Sequence, residues 1–371
     1  MKTIIGQYSS ATIHTDIIED YAIAQIKAIC DNPVLADANV QIMPDVHPGK
    51  VSPIGLTMKI RDAILPSLIG IDIGCGMTIA KIKQKHIEFQ RMDTVIREKI
   101  PSGFAINQKP HRFHKKFQYS ELECHSHINQ MKASLSICSL GGGNHFIEIE
   151  QDDDGALYIL IHTGSRHLGK EVTDYYMNMG ERDLKQAGED IPYELTYLTG
   201  HLMNDYIHDV QVIQAFAELN RQAILDEVVR GMKLKVTDSF STIHNYIEPY
   251  GNQYMLRKGA ISAKQGERMI VPINMKDGAL LCTGKGNIDW NESAPHGSGR
   301  IMNRENVKSR FTVSQFKSEM KGIYSNNISA LTLDEAPFAY RKLQHITDYI
   351  GETAEINELL HPIYNFKAGS N

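Results

Sequence analysis

Asp72 and Cys75 are the first residues in this chain whose types and spacing could do chemistry. They lie in the glycine-rich stretch 71–76 (IDIGCG), between two apolar, strand-like runs. Glycine lets the backbone turn tightly and approach a ligand, and a carboxylate beside a thiolate suits a cation of intermediate softness. On its own, the pair also fits a buried structural cysteine next to a turn aspartate.

Four histidines occur in similar local settings, each at a strand end or beside glycine: His145, His162, His244 and His296. Any one of them alone also fits a structural histidine. Together with Asp72 and Cys75 they offer more ligand-type groups than one tetrahedral ion accepts. The pattern therefore predicts two ions with the thiolate as a bridge, and such mixed ligands would accept manganese, cobalt or zinc.

The composition is that of an ordinary globular protein. The chain has 371 residues, of which 42% are hydrophobic and 22% charged, and its formal net charge is −5. That charge does not indicate a nucleic-acid binder, so any contact with phosphates must come from a local basic patch. Five widely spaced cysteines argue against a disulfide framework and predict a cytoplasmic protein. No apolar run reaches membrane-spanning length, so no membrane partner is expected.

The elements that must position these groups alternate between helices and short strands. Apolar periodicity predicts helices over 16–30, 89–100 and 204–232, and strands over 40–43, 56–60, 77–83, 157–161, 268–273 and 279–283. Two prolines and a glycine predict a turn over 44–50, and 334–337 is expected to open one more helix in the tail. The simplest fold class is a single α+β domain over 1–371 with much irregular loop around the site.

Two polar features have more than one interpretation. The segments 111–116 (HRFHKK) and 124–127 (CHSH) match no standard zinc spacing, so they are either an unusual metal site or a solvated basic insertion that touches RNA. Arg300, Arg304 and Lys308 recur every four residues. That spacing predicts a basic stripe on a helix, which faces either RNA or plain solvent.

Eight motifs follow one another from about residue 40 to the C-terminus: 45–50 (DVHPGK), 72–76 (DIGCG), 143–148 (GNHFIE), 162–166 (HTGSR), 244–246 (HNY), 257–260 (RKGA), 296–300 (HGSGR) and 334–337 (DEAP). In this order they resemble the RtcB family of RNA ligases. The resemblance implies one domain with mixed sheets, flanking helices and a loop-rich central metal site. It also implies an enzyme that joins an RNA 2′,3′-cyclic phosphate or 3′-phosphate end to a 5′-hydroxyl end, using GTP and Mn²⁺ through a guanylylated histidine.

The resemblance implies a role for each matching residue. His296 would carry the GMP. The metal ligands would be Asp72, Cys75, His145, His162 and His244, with Cys75 bridging two Mn²⁺ ions. The catalytic cations would be Arg166, Lys258 and Arg300. The nucleotide would be held by Asn144, Glu148, Asn274, His296, Gly297, Ser298, Gly299, Tyr340 and Lys367.

The chain departs from the family pattern around the nucleotide. It reads PINMK at 272–276 and Ala279, where the family usually has Pro-Gly-Ser-Met-Gly and then serine, and Ser298 stands where alanine is usual. The missing glycine stiffens the turn, and Ala279 cannot hydrogen-bond. These departures indicate a divergent branch that serves RNA repair as an alternative to tRNA splicing, with weaker GTP affinity or relaxed selectivity over ATP.

Two other functions remain open at this point. A metal-dependent RNA cyclic phosphodiesterase would need the metal ligands but not His296 as nucleophile. An RNA-binding adaptor would need neither, and a thiolate beside a carboxylate argues against it. The partners implied by the resemblance are RNA with broken ends, such as tRNA or rRNA fragments, together with GTP and an archease-like activator.

Overall fold

Two large β-sheets with flanking α-helices form the parts of the chain that the computed structural model describes, residues 2–36 and 38–369. The predicted α+β class is confirmed. The predicted domain also includes residues 1, 37, 370 and 371, which lie outside the described residues. Within the described ranges, no helix combines the length and the apolar character needed to cross a membrane.

The helices and strands have the following bounds. The helices are α1 (Asp20–Cys30), α2 (Pro66–Ile69), α3 (Phe89–Lys99), α4 (Gln130–Ser136), α5 (Arg166–Gln186), α6 (Gly200–Met232), α7 (Arg304–Arg310), α8 (Val313–Glu319) and α9 (Leu343–Ile350). The strands are β1 (Lys2–Ile5), β2 (Ser10–Ile13), β3 (Asn39–His47), β4 (Ile54–Ile60), β5 (Ala63–Ile64), β6 (Gly76–Ile82), β7 (Phe146–Gln151), β8 (Leu157–Thr163), β9 (Leu198–Thr199), β10 (Val236–Ile243), β11 (Asn245–Tyr250), β12 (Gln253–Lys258), β13 (Ala260–Ser262), β14 (Arg268–Asn274), β15 (Gly278–Gly284), β16 (Ser293–Pro295) and β17 (Ala354–Lys367).

The two sheets meet at His244. The first has the strand order β1-β2-β3-β4-β12-β11, and the second has β10-β6-β8-β7-β17-β15-β14. His244 alone separates β10 of the second sheet from β11 of the first. The chain therefore passes from one sheet to the other at a predicted metal ligand.

The long helix α6 and both sheets share one hydrophobic cluster. It includes Ile42 of the first sheet, Ile159 of the second and Phe216 of α6, all fully buried. Strand β8 is buried along its whole length, which explains its continuous apolar run. A core shared by both sheets is what the predicted single domain requires.

Three predicted elements differ from the structure. Helix α1 begins at Asp20 rather than Asp16, with Glu19 as its N-cap. The predicted turn over 44–50 is strand up to His47, because the pairing of β3 with β4 is interrupted between Ile42 and His47 and so tolerates Pro44.

The tail also differs. Residues 333–335 form only a short 3-10 turn, helix α9 begins at Leu343, and the chain then ends in the long strand β17. The strand was not predicted because irregular pairing near Cys282 and near Pro362 breaks its alternation of buried and exposed residues.

Candidate metal and nucleotide site

The five predicted metal ligands come together at the sheet junction. The Sγ atom of Cys75 lies 3.5 Å from Nε2 of His145 and 3.4 Å from Nε2 of His162. Nε2 of His162 lies 3.4 Å from Nε2 of His244, and Nε2 of His145 lies 3.4 Å from Oδ2 of Asp72. The ligand atoms form two groups of three, each within 4.8 Å, and Cys75 belongs to both groups.

Neighbouring strands position these ligands. Cys75 immediately precedes β6, His162 is near the end of β8, and His145 immediately precedes β7. Because β6, β8 and β7 are adjacent and antiparallel, the start of β6, the end of β8 and the start of β7 lie side by side at one end of these strands. The backbone N–H of His244 donates to the Cys75 carbonyl oxygen at 2.9 Å, which fixes the position of His244 beside the other three residues.

Burial keeps the imidazoles of two predicted metal ligands, His162 and His244, neutral. It holds the pKa of His162 and of His244 well below the usual range, so both keep a free nitrogen lone pair at neutral pH. The Nδ1–H of His162 donates to the Asn144 carbonyl oxygen at 3.0 Å, which leaves Nε2 as its ligand atom. Burial and the nearby Asp72 raise the pKa of the Cys75 thiol, and a bound cation would supply the charge that ionises it. The donor set therefore fits a pair of divalent ions.

Asp45 orients His296, the predicted nucleophile. Oδ2 of the fully buried Asp45 accepts hydrogen bonds from Nδ1 of His296 at 2.6 Å and from its backbone N–H at 3.1 Å. With Nδ1 acting as the donor, Nε2 is the ring nitrogen that keeps its lone pair. The His296 ring lies 4.8 Å from the ring of His244, so the predicted nucleophile adjoins the predicted metal ligands.

A cavity of about 280 Å³ lies beside His162, His244 and His296. All of the predicted nucleotide-binding residues line it: Asn144, Glu148, Asn274, His296, Gly297, Ser298, Gly299, Tyr340 and Lys367. His47, Phe146 and Arg304 also line it, although they were not among the predicted nucleotide contacts. The structure therefore brings the predicted metal ligands, nucleophile and nucleotide contacts to one place.

One face of the second sheet forms a wall of this cavity. Glu148 of β7 pairs in register with Asn365 of β17, whose side-chain amide donates to its carboxylate at 2.5 Å. Phe146 pairs with Lys367, whose ammonium lies 5.7 Å from the Phe146 ring centroid. A buried carboxylate, an ammonium group and an aromatic ring are a suitable lining for a nucleotide base and sugar.

Glu335 links several cavity residues. Its buried carboxylate accepts hydrogen bonds from Lys367 at 2.9 Å, from Arg300 at 3.0 Å and from the Tyr340 hydroxyl at 2.5 Å. Burial opposes ionisation, but the charges of Lys367, Arg304 and Arg300 hold the pKa of Glu335 well below its usual range. This ionised carboxylate fixes three predicted site residues relative to one another.

Arg166 and Lys258 do not line the cavity. The guanidinium of Arg166 donates to Oγ of Ser139 at 3.1 Å and to the Gly103 carbonyl oxygen at 2.7 Å. Nζ of Lys258 donates to the Ile69 carbonyl oxygen at 2.6 Å, beside the loop that carries Asp72. Both cations lie close enough to the predicted metal ligands Asp72 and Cys75 to feel their charges, and outside the cavity predicted to hold the nucleotide.

The residues that depart from the family pattern contact one another. The Ser298 hydroxyl donates to the Ile273 carbonyl oxygen at 2.6 Å. Asn274 lines the cavity, but its side chain is occupied by its own turn, where Oδ1 accepts from the backbone N–H groups of Lys276 and Asp277 at 2.9 Å. The Asn274 side-chain amide also donates to Oδ2 of Asp277 at 2.8 Å, so this turn holds the side chain.

The prediction that Arg300, Arg304 and Lys308 form a free basic stripe on one helix is wrong. Arg300 precedes helix α7, and Arg304 pairs with the buried carboxylates of Asp334, at 2.6 Å, and Glu335. Lys308 lies 3.5 Å from Asp334. These cations neutralise a buried acidic pair, which the spacing alone could not reveal.

Within the described residues, the segment 111–127 supplies one side chain, His111, to a group that could hold a metal ion, together with Asp226 and Glu227 of α6. His111 lies 3.1 Å from Glu227 on α6, Arg112 donates to the same carboxylate at 2.9 Å, and Cys124 is fully buried. A guanidinium inside the cluster already supplies the positive charge that a metal would bring. The segment is attached to α6 by ion pairs.

Sequence reasoning did not predict the roles of Asp45, Glu335 and Arg221. Nη1 of the fully buried Arg221 on α6 donates to the carbonyl oxygens of Gly74 at 2.9 Å and Thr163 at 3.0 Å, and so connects the loop that carries Cys75 with the end of β8, which carries His162. Asp45 and His296 are 251 positions apart. The only sequence signal for Asp45 and Glu335 is their presence in the 45–50 and 334–337 motifs.

Comparison with known proteins relates this chain to the RtcB ligases. The sequence model of the family described as tRNA-splicing ligase RtcB matches residues 25–124 and 114–368. The chain is 27% identical over 356 residues to the RNA-splicing ligase RtcB of Escherichia coli K12, covering 86% of this chain and 87% of that protein. It is 25% identical over 432 residues to the tRNA-splicing ligase RtcB of Aeropyrum pernix, covering 88% and 89%.

Proposed function

The chain belongs to the RtcB family of tRNA-splicing ligases, and from that premise we propose that it is a GTP- and Mn²⁺-dependent RNA ligase. It joins an RNA end bearing a 2′,3′-cyclic phosphate or a 3′-phosphate to a 5′-hydroxyl end. Its substrates are broken tRNA or rRNA molecules, and an archease-like protein is a candidate activator. The curated relatives carry the names RNA-splicing ligase and tRNA-splicing ligase, which supports the ligase activity.

The observation that carries the proposal is the position of His296. It lies between the paired ligand groups and the cavity, with Asp45 bound to Nδ1. A neutral imidazole with one free lone pair is a competent nucleophile toward phosphorus. A structural histidine would not need a dedicated carboxylate and an adjacent cavity.

In the first step, Nε2 of His296 attacks the α-phosphorus of GTP. A P–N bond forms, the bond from the α-phosphorus to the bridging oxygen breaks, and pyrophosphate leaves. Asp45 stabilises the positive charge that develops on the imidazole. Two Mn²⁺ ions held by Asp72, Cys75, His145, His162 and His244 would neutralise phosphate charge.

In the later steps, an RNA 3′-phosphate oxygen attacks the α-phosphorus and releases His296. The 5′-hydroxyl then attacks the activated 3′-phosphorus, so that a phosphodiester forms and GMP leaves. A 2′,3′-cyclic phosphate must first be opened by water to a 3′-phosphate. Arg166 and Lys258 lie beside the metal ligands, where they can bind the phosphates of the RNA ends.

The cavity supports nucleotide binding by this chain's own residues. Glu148 can accept the N–H groups of a guanine base, and Tyr340 and Lys367 can contact the ribose and phosphates. Gly297 and Gly299 leave their amides accessible to phosphate oxygens. Asn274 contributes its backbone, since its side chain is already paired.

A joining assay tests this function. A 5′-hydroxyl RNA and a second RNA with a 2′,3′-cyclic phosphate are incubated with the protein, Mn²⁺ and GTP, and the product is sized on a denaturing gel. We expect a joined product with wild type and none with His296→Ala. Opening of the cyclic phosphate without joining, in wild-type protein with every nucleotide tested, would instead identify a cyclic phosphodiesterase.

A further inference from the structure

A second cavity of about 610 Å³ adjoins the first. His47 and Arg300 line both cavities, so the two share a wall. We call the second one the outer groove; its other walls include Tyr21 of α1 and Arg310 of α7. Its volume lies within the range of roughly 300–1,000 Å³ that is usual for ligand pockets.

The outer groove contains a cation without a partner. Arg310 is exposed at the end of α7, and within residues 2–36 and 38–369 it makes no ion pair. Arg304 and Lys308 of the same helix are instead directed to the buried acids Asp334 and Glu335. Arg310 is therefore the cation of α7 that remains available to an external phosphate.

The groove also exposes apolar side chains. Tyr21 is 62% exposed although it lies on α1, whose buried face is formed by other residues such as Ala22 and Ile26. Ile301, which also lines the groove, is 47% exposed. An exposed aromatic ring and a free guanidinium that line one groove can bind single-stranded nucleic acid by base stacking and phosphate contact.

The shared wall leads to the nucleophile. Nδ1 of His47 donates to the Asp45 carbonyl oxygen at 2.9 Å, and the Asp45 carboxylate holds His296. His47 lines the outer groove and, together with His296, also lines the first cavity, so an RNA end in the outer groove is directed toward His296.

We propose that the outer groove binds the single-stranded RNA end that carries the 3′-phosphate, with Arg310 on a backbone phosphate and Tyr21 stacked on a base. This inference rests on the proposed ligase function, because it supplies the second reactant to the same histidine. The contacts are independent of base sequence, as an enzyme acting on broken RNA requires.

Two variants and one control test the groove. Arg310→Ala and Tyr21→Ala are compared with Lys317→Ala, which removes an exposed cation from the neighbouring helix α8. Fluorescence anisotropy measures the affinity for a labelled single-stranded RNA with a 3′-phosphate at several salt concentrations. Intact-mass measurement after incubation with Mn²⁺ and GTP detects the mass increase expected from GMP bound to His296 in the same protein samples.

We expect Arg310→Ala to weaken binding and to reduce the salt slope by about one unit. Tyr21→Ala should weaken binding by roughly 5- to 100-fold, whereas Tyr21→Phe should retain the affinity. Lys317→Ala should bind as wild type does, and no variant should lose the GMP adduct.

Wild-type affinity and salt slope in both Arg310→Ala and Tyr21→Ala would overturn the inference. A wild-type protein that acquires no GMP would reject the proposed ligase function. A loss of RNA affinity confined to the two groove variants would still support the outer groove in that case, so the two failures are distinguishable.

Discussion

At the scale of single residues, Cys75 belongs to both of the groups that the predicted metal ligands form. Cys75→Ala should therefore remove both ions, because neither group keeps three protein ligands without it. Metal analysis of protein loaded with Mn²⁺ and desalted should find two ions in wild type and fewer than one in the variant.

Cys124→Ala is the matched control, since Cys124 is equally buried but lies outside both groups. It should keep both ions. Two retained ions in Cys75→Ala would contradict the shared-thiolate arrangement.

Asp45 determines which nitrogen of His296 can react. Asp45→Asn offers an amide N–H to Nδ1, which favours the tautomer that carries its proton on Nε2 and so blocks the lone pair. Guanylylation in a single turnover should slow by on the order of 100-fold, with metal content unchanged. A rate within twofold of wild type would show that the Asp45 contact is only structural.

His47 makes the stability of the fold sensitive to acid. Burial lowers the pKa of His47 to about 4, while in the unfolded chain it stays near 6.5. The unfolded state therefore binds the proton more tightly, and the stability supplied by neutral His47 is complete above pH 6.5 and is lost as the pH falls toward 4.

Urea unfolding of wild type and His47→Gln at pH 7 and pH 5 measures this contribution. The free energy of unfolding of wild type should fall by about 2 kcal/mol more than that of the variant over this interval. An equal fall in both proteins would exclude His47 as the source of the acid sensitivity.

At the scale of elements, helix α7 stabilises the buried acids beside the cavity. Arg304→Met should lower the free energy of unfolding by roughly 2 kcal/mol, because it leaves Asp334 and Glu335 with less compensating charge. Lys308→Met should cost less than about 0.5 kcal/mol, as its pair is longer and more exposed. Urea unfolding of both variants checks the difference.

The salt dependence of RNA binding separates this role from direct RNA contact. Arg304→Met should leave the slope of affinity against salt unchanged, since the guanidinium is already paired. Normal stability combined with a slope reduced by about one unit would instead mean that Arg304 faces RNA.

The sequence was enough to select the candidate metal ligands that the structure brings together, and to predict much of the fold, because those signals are local. Each ligand sits in a short glycine-rich or strand-end motif, and the helices later found as α3 and α6 have clear apolar periodicity. Long-range pairings carry no such signal. The contact of Asp45 with His296 depends on how distant segments meet, and for that reason it was not predicted. The contact of Arg304 with Asp334 and Glu335 is also long-range, so Arg304 was interpreted as part of a free basic stripe.

At the scale of the whole molecule, the site lies where the two sheets meet. His244 joins the sheets, Asp45 comes from the first sheet, and His162 and Glu148 come from the second. Neither sheet alone contains both Asp45, which binds His296, and Glu148, which lines the cavity. The geometry of the site therefore depends on the packing of the shared core.

On the proposed mechanism, His296 becomes covalently bound to GMP before any RNA arrives. Intact-mass measurement after incubation with Mn²⁺ and GTP, without RNA, detects this adduct. We expect the wild-type mass to rise by one GMP and the mass of His296→Ala to stay unchanged. Parallel samples with ATP show whether the altered 272–276 turn relaxes nucleotide selectivity. An adduct that persists in His296→Ala, or no adduct with any nucleotide in wild-type protein that binds Mn²⁺, would contradict the account.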